Sequence, residues 1–123
     1  MLSAFLVEDN PLIRENLSAA LAELAPVTII GWAAGEESAR RWFAAHNDWN
    51  LAIVDLFLED GNGLGVLRAL QARAAEQRAV VLTNYATQDI RVRCTALGAD
   101  AVFDKSSEIE ALAQYCDRLA TAN

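Results

Sequence analysis

Basic residues are scarce in this chain. Ten lysines and arginines face seventeen aspartates and glutamates, for a formal net charge of −7. So acidic a balance lacks the cationic surface needed for general nucleic-acid binding or attachment to an anionic membrane, and it leaves room for a cationic ligand. Cysteine is nearly absent. Cys94 and Cys116 show no CxxC or His/Cys spacing, so they read as small buried thiols in a reducing compartment rather than as a disulfide framework or zinc ligands. With 2 Pro and 6 Gly in 123 residues, and 54% hydrophobic residues, the chain is neither disordered nor fibrous. No apolar run approaches the roughly 20 residues that span a bilayer. The opening "MLSAFLVEDNPLIRE" has no basic leader and meets acids by Glu8, so it is not a signal peptide. These absences lead to the expectation of a cytoplasmic protein of one domain that neither binds nucleic acid directly nor inserts into a membrane. Its length is enough to bury about two-thirds of the unfolded surface.

Five short apolar runs are present instead: "AFLV" (4–7), "VTII" (27–30), "LAIV" (51–54), "AVVL" (79–82) and "AVF" (101–103). Each is continuous rather than alternating, which suits strands covered on both faces of a parallel sheet. Segments of helical period lie between them. The first opens at Asn10-Pro11, with Asn as cap and Pro at the first helical position, and its buried stripe is Ile13, Leu17, Leu21 and Leu24. The second, "EESARRWFAAH", follows Gly35 and buries Ala39 and Phe43. The third follows Gly63, with Leu64, Leu67 and Leu70 facing inward. The fourth runs from Thr87 through Ile90, Cys94 and Leu97 to Gly98, whose backbone freedom suits a helix end. The last starts at "SEIE", a capping box of Ser107 and Glu110, and buries Ile109, Leu112, Cys116 and Leu119. Strand and helix alternate five times, so the spacing predicts an α/β fold, a (βα)5 doubly wound sandwich with right-handed crossovers.

The residues that follow the apolar runs carry the chemistry. Run one ends in Glu8-Asp9, run three in Asp55, run four in Thr83, and run five reaches Asp104-Lys105. Run two ends at Gly31-Trp32 without such a group. In open α/β sheets ligands bind beyond the carboxyl ends of the strands, where the strand order reverses. In the flavodoxin-like order 2-1-3-4-5 that point lies between strands one and three, and strand two is an edge. Strands about 4.8 Å apart bring Asp9 and Asp55 close together. Two carboxylates about 5 Å apart repel by roughly 3 kcal/mol at an effective dielectric near 20. Such a cluster suits a hard divalent cation, and Mg²⁺ takes one or two carboxylates while keeping exchangeable waters.

Taken in order, "LVEDNP", the Asp of "IVDLFLEDGNGL", the hydroxyl of "VVLTNYA" and the Lys of "GADAVFDKS" resemble the receiver domain of two-component response regulators over essentially the whole chain. The resemblance implies that Asp55 accepts a phosphoryl group from a histidine kinase or a histidine phosphotransfer protein. Mg²⁺, or another divalent ion such as Mn²⁺, is then held by Asp55, Asp9, the Phe57 backbone carbonyl and Glu8, the last directly or through water. Lys105 pairs with a phosphoryl oxygen and Thr83 donates its hydroxyl to another. Three carboxylates, one lysine and a dication balance to neutrality, and phosphorylation leaves about one excess negative charge. Inward movement of the strand-four loop relieves that charge, and helix four, strand five and helix five pass the change to a downstream protein target. The elements fill residues 1–123, so the expectation is a single receiver domain without an output domain.

Four positions depart from the family pattern. Val102 stands where an aromatic usually precedes the lysine, so the usual Thr–aromatic coupling is either absent or carried by Tyr85; Phe103 points to the opposite face. Ser106 replaces the usual Pro after Lys105, so no cis peptide is expected there. Asn84 replaces a small residue, and Phe57 and Tyr85 add aromatic bulk beside the site, which suggests slow hydrolysis of the acyl phosphate.

Three other readings compete. A pseudo-receiver used only for protein contact is the main alternative. A haloacid-dehalogenase-type phosphatase wants a second Asp where Phe57 stands. A flavodoxin-like electron carrier wants a hydroxyl- and glycine-rich loop where "VEDNPLI" puts acids. Outside the site, Arg91 and Arg93 read as a solvated helix face and His46 as a helix-end cation. Trp32, Trp42 and Trp49 read as packing and surface aromatics.

Overall fold

Each apolar run forms a strand in the computed structural model, which describes residues 1–122. The strands are β1 (Leu2–Val7), β2 (Val27–Ala33), β3 (Leu51–Val54), β4 (Arg78–Thr83) and β5 (Ala101–Asp104). All are parallel, in one sheet of order β2-β1-β3-β4-β5. The helices are α1 (Pro11–Leu24), α2 (Glu36–Ala45), α3 (Gly63–Ala69, followed by a 3₁₀ turn at Leu70–Ala72), α4 (Gln88–Ala96) and α5 (Ile109–Ala122).

The alternation hidden inside the continuous apolar runs divides the core in two. Phe5, Val7, Ala52, Val54 and Val81 face α2, α3 and α4, where Ala39, Val66, Leu67 and Cys94 cover them. Leu6, Ile53, Val80, Leu82 and Phe103 face α1 and α5, under Leu17, Leu21, Leu112 and Cys116. Each fully buried large aliphatic contributes about 1.5–3 kcal/mol, so β3, buried along its whole length, is a rigid base for whatever its end carries. Val102 packs with the first cluster and Phe103 with the second, on opposite faces as their alternation requires. Both cysteines are buried free thiols.

Local chemistry explains the helix boundaries. Asn10 Oδ1 accepts from the Leu12 and Ile13 N–H groups at 3.0 and 3.1 Å, with Pro11 as the first helical residue. Thr87 caps α4 through the Ile90 N–H, and Gly98 ends that helix at φ +98°.

Four expectations need correction. β2 runs on to Ala33 and is half-exposed, because it is an edge strand. Leu24 is 52% exposed. It lies at the lower rim, where β2 is only beginning, and shares a shallow depression with the polar flank of α5 at Glu110, Gln114 and Asp117. The Ser107–Glu110 capping box does not form. Asp104 Oδ1 takes the Ser106 and Ser107 N–H groups at 2.8 and 3.1 Å, and α5 starts one residue later than the box requires. The Glu108 carbonyl accepts the helix's first bond, from the Leu112 N–H at 3.0 Å. Arg91 is the fourth: it is half-buried and fully engaged, not part of a solvated face. Its Nε donates to the Ala86 carbonyl, Nη1 to the Val102 carbonyl and Nη2 to Glu108 Oε1, at 3.0, 2.9 and 2.8 Å.

Candidate functional site

The parallel registers carry the side chains past the strand ends to one place. Val7 pairs with Val54, and the Asp55 N–H continues the ladder to the Val7 carbonyl at 3.0 Å, so Glu8 and Asp55 lie side by side. On the other flank the Lys105 N–H bonds the Thr83 carbonyl at 2.9 Å. Glu8 is only 2% exposed and Asp55 7%. One carboxylate oxygen each from Glu8, Asp9 and Asp55 lie within 4.8 Å of one another. Lys105 Nζ donates to Glu8 Oε1 at 2.5 Å and to Asp55 Oδ2 at 3.2 Å.

Three carboxylates against one ammonium leave the cluster short of positive charge. Burial pushes the Glu8 and Asp55 carboxyls above the ordinary range, and Lys105 only partly counters it. For Lys105 burial works against the charged form, but Glu8 and Asp55 outweigh it and hold its pKa above the usual value. Burial also opposes ionisation of Asp9. The Glu59 N–H, which donates to Asp9 Oδ2 at 2.8 Å, and the neighbouring hydrogen bonds more than offset this, so its pKa is lowered. A set of hard oxygen donors with surplus negative charge fits Mg²⁺ or a similar dication.

The loops are tied where they meet this cluster. Glu8 Oε2 accepts from the Asn10 N–H at 3.1 Å, and Asp55 Oδ1 from the Phe57 N–H at 3.4 Å. Asn62 caps α3 through the Leu64 and Gly65 N–H groups. Thr83 is fully buried, and its hydroxyl oxygen accepts from the Tyr85 N–H at 3.2 Å. Exposed Phe57 and Tyr85 meet edge to face, with ring centroids 4.9 Å apart.

Of the residues singled out in the sequence, Glu8, Asp9, Asp55 and Lys105 form one cluster. Thr83 stands beside it through β4–β5 pairing and makes no hydrogen bond to the carboxylates among the described residues. Phe57 enters through its N–H. Sequence reasoning missed Arg14, whose Nη1 donates to the Glu8 and Asp9 carbonyls at 2.9 and 3.3 Å. An arginine between Ile13 and Leu17 on a helix gives no signal that separates it from a solvated one. His46 closes α2, with Nδ1 at 2.8 Å from the Trp42 carbonyl. Trp42 stacks on Phe5 at 3.9 Å between centroids, Trp49 is buried, and Trp32 lies on the surface.

Residues 4–117 match the family model described as the response regulator receiver domain. Among curated proteins, the DNA-binding transcriptional activator DevR/DosR of Mycobacterium tuberculosis is 31% identical over 100 residues, 80% of this chain and 45% of that protein. The photosynthetic apparatus regulatory protein RegA of Rhodobacter capsulatus is 44% identical over 57 residues, 46% of this chain and 31% of that one. The chain thus spans less than half the length of these relatives. The signal receiver domain of a DNA-binding response regulator from Colwellia psychrerythraea 34H shares the fold at a TM-score of 0.84 and 21% identity, over 98% of this chain and 99% of that one. A response regulator protein from Burkholderia pseudomallei, solved with a phosphorylated aspartic acid and a calcium ion, does so at 0.78 and 22%, over 99% and 70%. Among the described residues no helix is long and apolar enough to cross a membrane.

Proposed function

The chain belongs to the response regulator receiver domain family, and on that premise we propose that Asp55 is its phosphoacceptor. The observation that carries this reading is the convergence of Glu8, Asp9 and Asp55 within 4.8 Å, with Lys105 as their only ion-pair partner among the described residues. The phosphorylated aspartate and bound calcium of the Burkholderia relative support it.

In this reading an Asp55 carboxylate oxygen attacks phosphorus on the phosphohistidine of a kinase or phosphotransfer protein. The P–O bond forms, the P–N bond breaks, and its electron pair leaves with the imidazole. Glu8, Asp9, Asp55 and the Phe57 carbonyl are the groups that would hold Mg²⁺ or Mn²⁺. When bound, such an ion supplies the positive charge that lets an anionic nucleophile meet an anionic phosphoryl group. Lys105 exchanges its bond to Asp55 for one to a phosphoryl oxygen. The Thr83 hydroxyl, which now accepts from Tyr85, still has its proton to donate there. The pull of that donation shifts the β4–α4 loop and alters the α4–β5–α5 face presented to a downstream protein. Val102 offers no aromatic ring to couple to Thr83. The tie from Arg91 to the Val102 carbonyl instead links α4 to β5.

Incubation with acetyl phosphate and Mg²⁺ followed by intact mass tests the proposal, with Asp55→Asn alongside. Gain of one phosphoryl group by the wild type alone is the expected result. An unmodified wild type would make the chain a protein-interaction module, and equal labelling of the variant would move the acceptor elsewhere.

A further inference from the structure

Arg14, in the first turn of α1, forms no ion pair with Glu8, Asp9 or Asp55 among the described residues. Its Nη1 is shared between two consecutive peptide carbonyls, Glu8 at 2.9 Å and Asp9 at 3.3 Å, while its own N–H bonds the Asn10 carbonyl at 3.0 Å. Those carbonyls belong to the peptide planes on either side of the Asp9 Cα. Fixing both planes fixes the direction in which the Asp9 side chain leaves the backbone. It also restrains the carbonyl side of Glu8.

The other partner of the guanidinium is Trp32, whose ring centroid lies 3.7 Å from Arg14 Cζ. Trp32 is 57% exposed. It reaches this place through an irregularity of β2. Ala4 pairs with Ile29 but Phe5 with Gly31, so Ile30 is an extra residue and the alternation resets behind it. Trp32 therefore pairs with Leu6, on the α1 side of the sheet. An unbroken register would put it opposite Val7, on the other side.

We propose that Arg14, clamped by Trp32, is a positioning residue for the metal-binding acids. It holds the β1–α1 loop so that Glu8 and Asp9 face the site, and spends its charge on the backbone rather than on their carboxylates. This inference rests on the metal-site reading above.

The test is a titration with Mn²⁺, following the free ion by electron paramagnetic resonance. The proteins are the full chain as wild type, Asp9→Asn, Arg14→Gln, Trp32→Ala and Trp32→Phe. Loss of a group that orients a metal ligand lowers affinity about tenfold or more, and Arg14→Gln is expected to do so. Trp32→Ala, which leaves Arg14 and both carbonyls in place, weakens binding by about threefold, and Trp32→Phe restores it. In phosphorylation by acetyl phosphate, the effect falls on the metal concentration for half-maximal rate rather than on the rate at saturation. Wild-type affinity in Arg14→Gln overturns the inference. If Arg14→Gln fails to fold, unchanged affinity in Trp32→Ala overturns it. A wild type that binds no better than Asp9→Asn instead removes the metal-site reading itself, and this inference falls with it.

Discussion

Lys105 lies closer to Glu8, at 2.5 Å, than to Asp55, at 3.2 Å. The cation that serves the proposed phosphoacceptor is thus held chiefly by that residue's neighbour, which is almost wholly buried. Lys105 is protonated throughout the neutral range, because its raised pKa keeps the stabilising charge in place until pH rises through it. Truncation to Lys105→Met leaves buried carboxylates without their partner, at a cost of about 3 kcal/mol in metal-free protein. A dication then supplies the missing charge. Thermal unfolding with and without Mg²⁺ is expected to show a lower Tm for the metal-free variant and a larger rise on adding metal than in the wild type.

The Phe57–Tyr85 pair bears on the lifetime of a phosphorylated state. Hydrolysis of the proposed acyl phosphate needs a water to approach in line with its bond to Asp55. The two exposed rings, 4.9 Å apart, belong to residues whose N–H groups bond Asp55 and Thr83, which would set them beside that approach. Phe57→Asn opens it and offers a hydrogen-bonding group to the water. The phosphorylated protein is expected to decay on the order of tenfold faster, equivalent to about 1.4 kcal/mol of barrier, when mass is followed after the phosphodonor is removed. A half-life equal to that of the wild type would show that the rings do not restrict water.

The strands and their order are legible because buried parallel strands are unbroken apolar runs, and because each polar group that matters stands just after one. The convergence of Glu8, Asp9, Asp55 and Lys105 follows from that placement. Other features leave no such trace. Apart from Thr28, "VTIIGWA" has no polar side chain to set an alternation, so nothing in it marks Ile30 as the extra residue or sends Trp32 toward Arg14. Arg14 and Arg91 sit on helices at the surface, where a cation bonded to carbonyls looks the same in the sequence as one in water. Ser107 and Glu110 have capping-box spacing, but Asp104, three residues ahead of Ser107, takes the Ser107 N–H that the Glu110 side chain would need.

Gly63 fixes the shape of the turn that follows Asp55. Its N–H bonds the Leu56 carbonyl at 2.9 Å, and a Cβ there would overlap the Asp55 carbonyl and come within 2.7 Å of the Leu56 Cα. Both obstacles are backbone, which cannot rotate away. Gly63→Ala is therefore expected to lose about 1–3 kcal/mol in urea unfolding. Because the displaced peptide is that of Asp55 itself, the rate of phosphorylation by acetyl phosphate should fall as well. Wild-type values for both would show that the turn has slack.

Arg91 and Glu108 give the α4–β5–α5 face a dependence on pH. Arg91 lowers the pKa of Glu108, and the Asp104 N–H adds to this. A carboxylate whose pKa is lower folded than unfolded contributes stability that is fully present above the unfolded value, about 4.3. That contribution disappears as pH falls through the lower folded value. Glu108→Gln removes the titrating group, so the Tm of the wild type should exceed that of the variant at pH 7 and converge on it below pH 4 or so. Arg91→Ala behaves differently. It also strips donors from the Ala86 and Val102 carbonyls, neither of which titrates. About 2 kcal/mol should be lost at pH 7, and much of that deficit should persist in acid after the Glu108 effect has gone. If the two variants instead lose their deficits together as pH falls, the ion pair alone accounts for the tie and the carbonyl bonds contribute nothing.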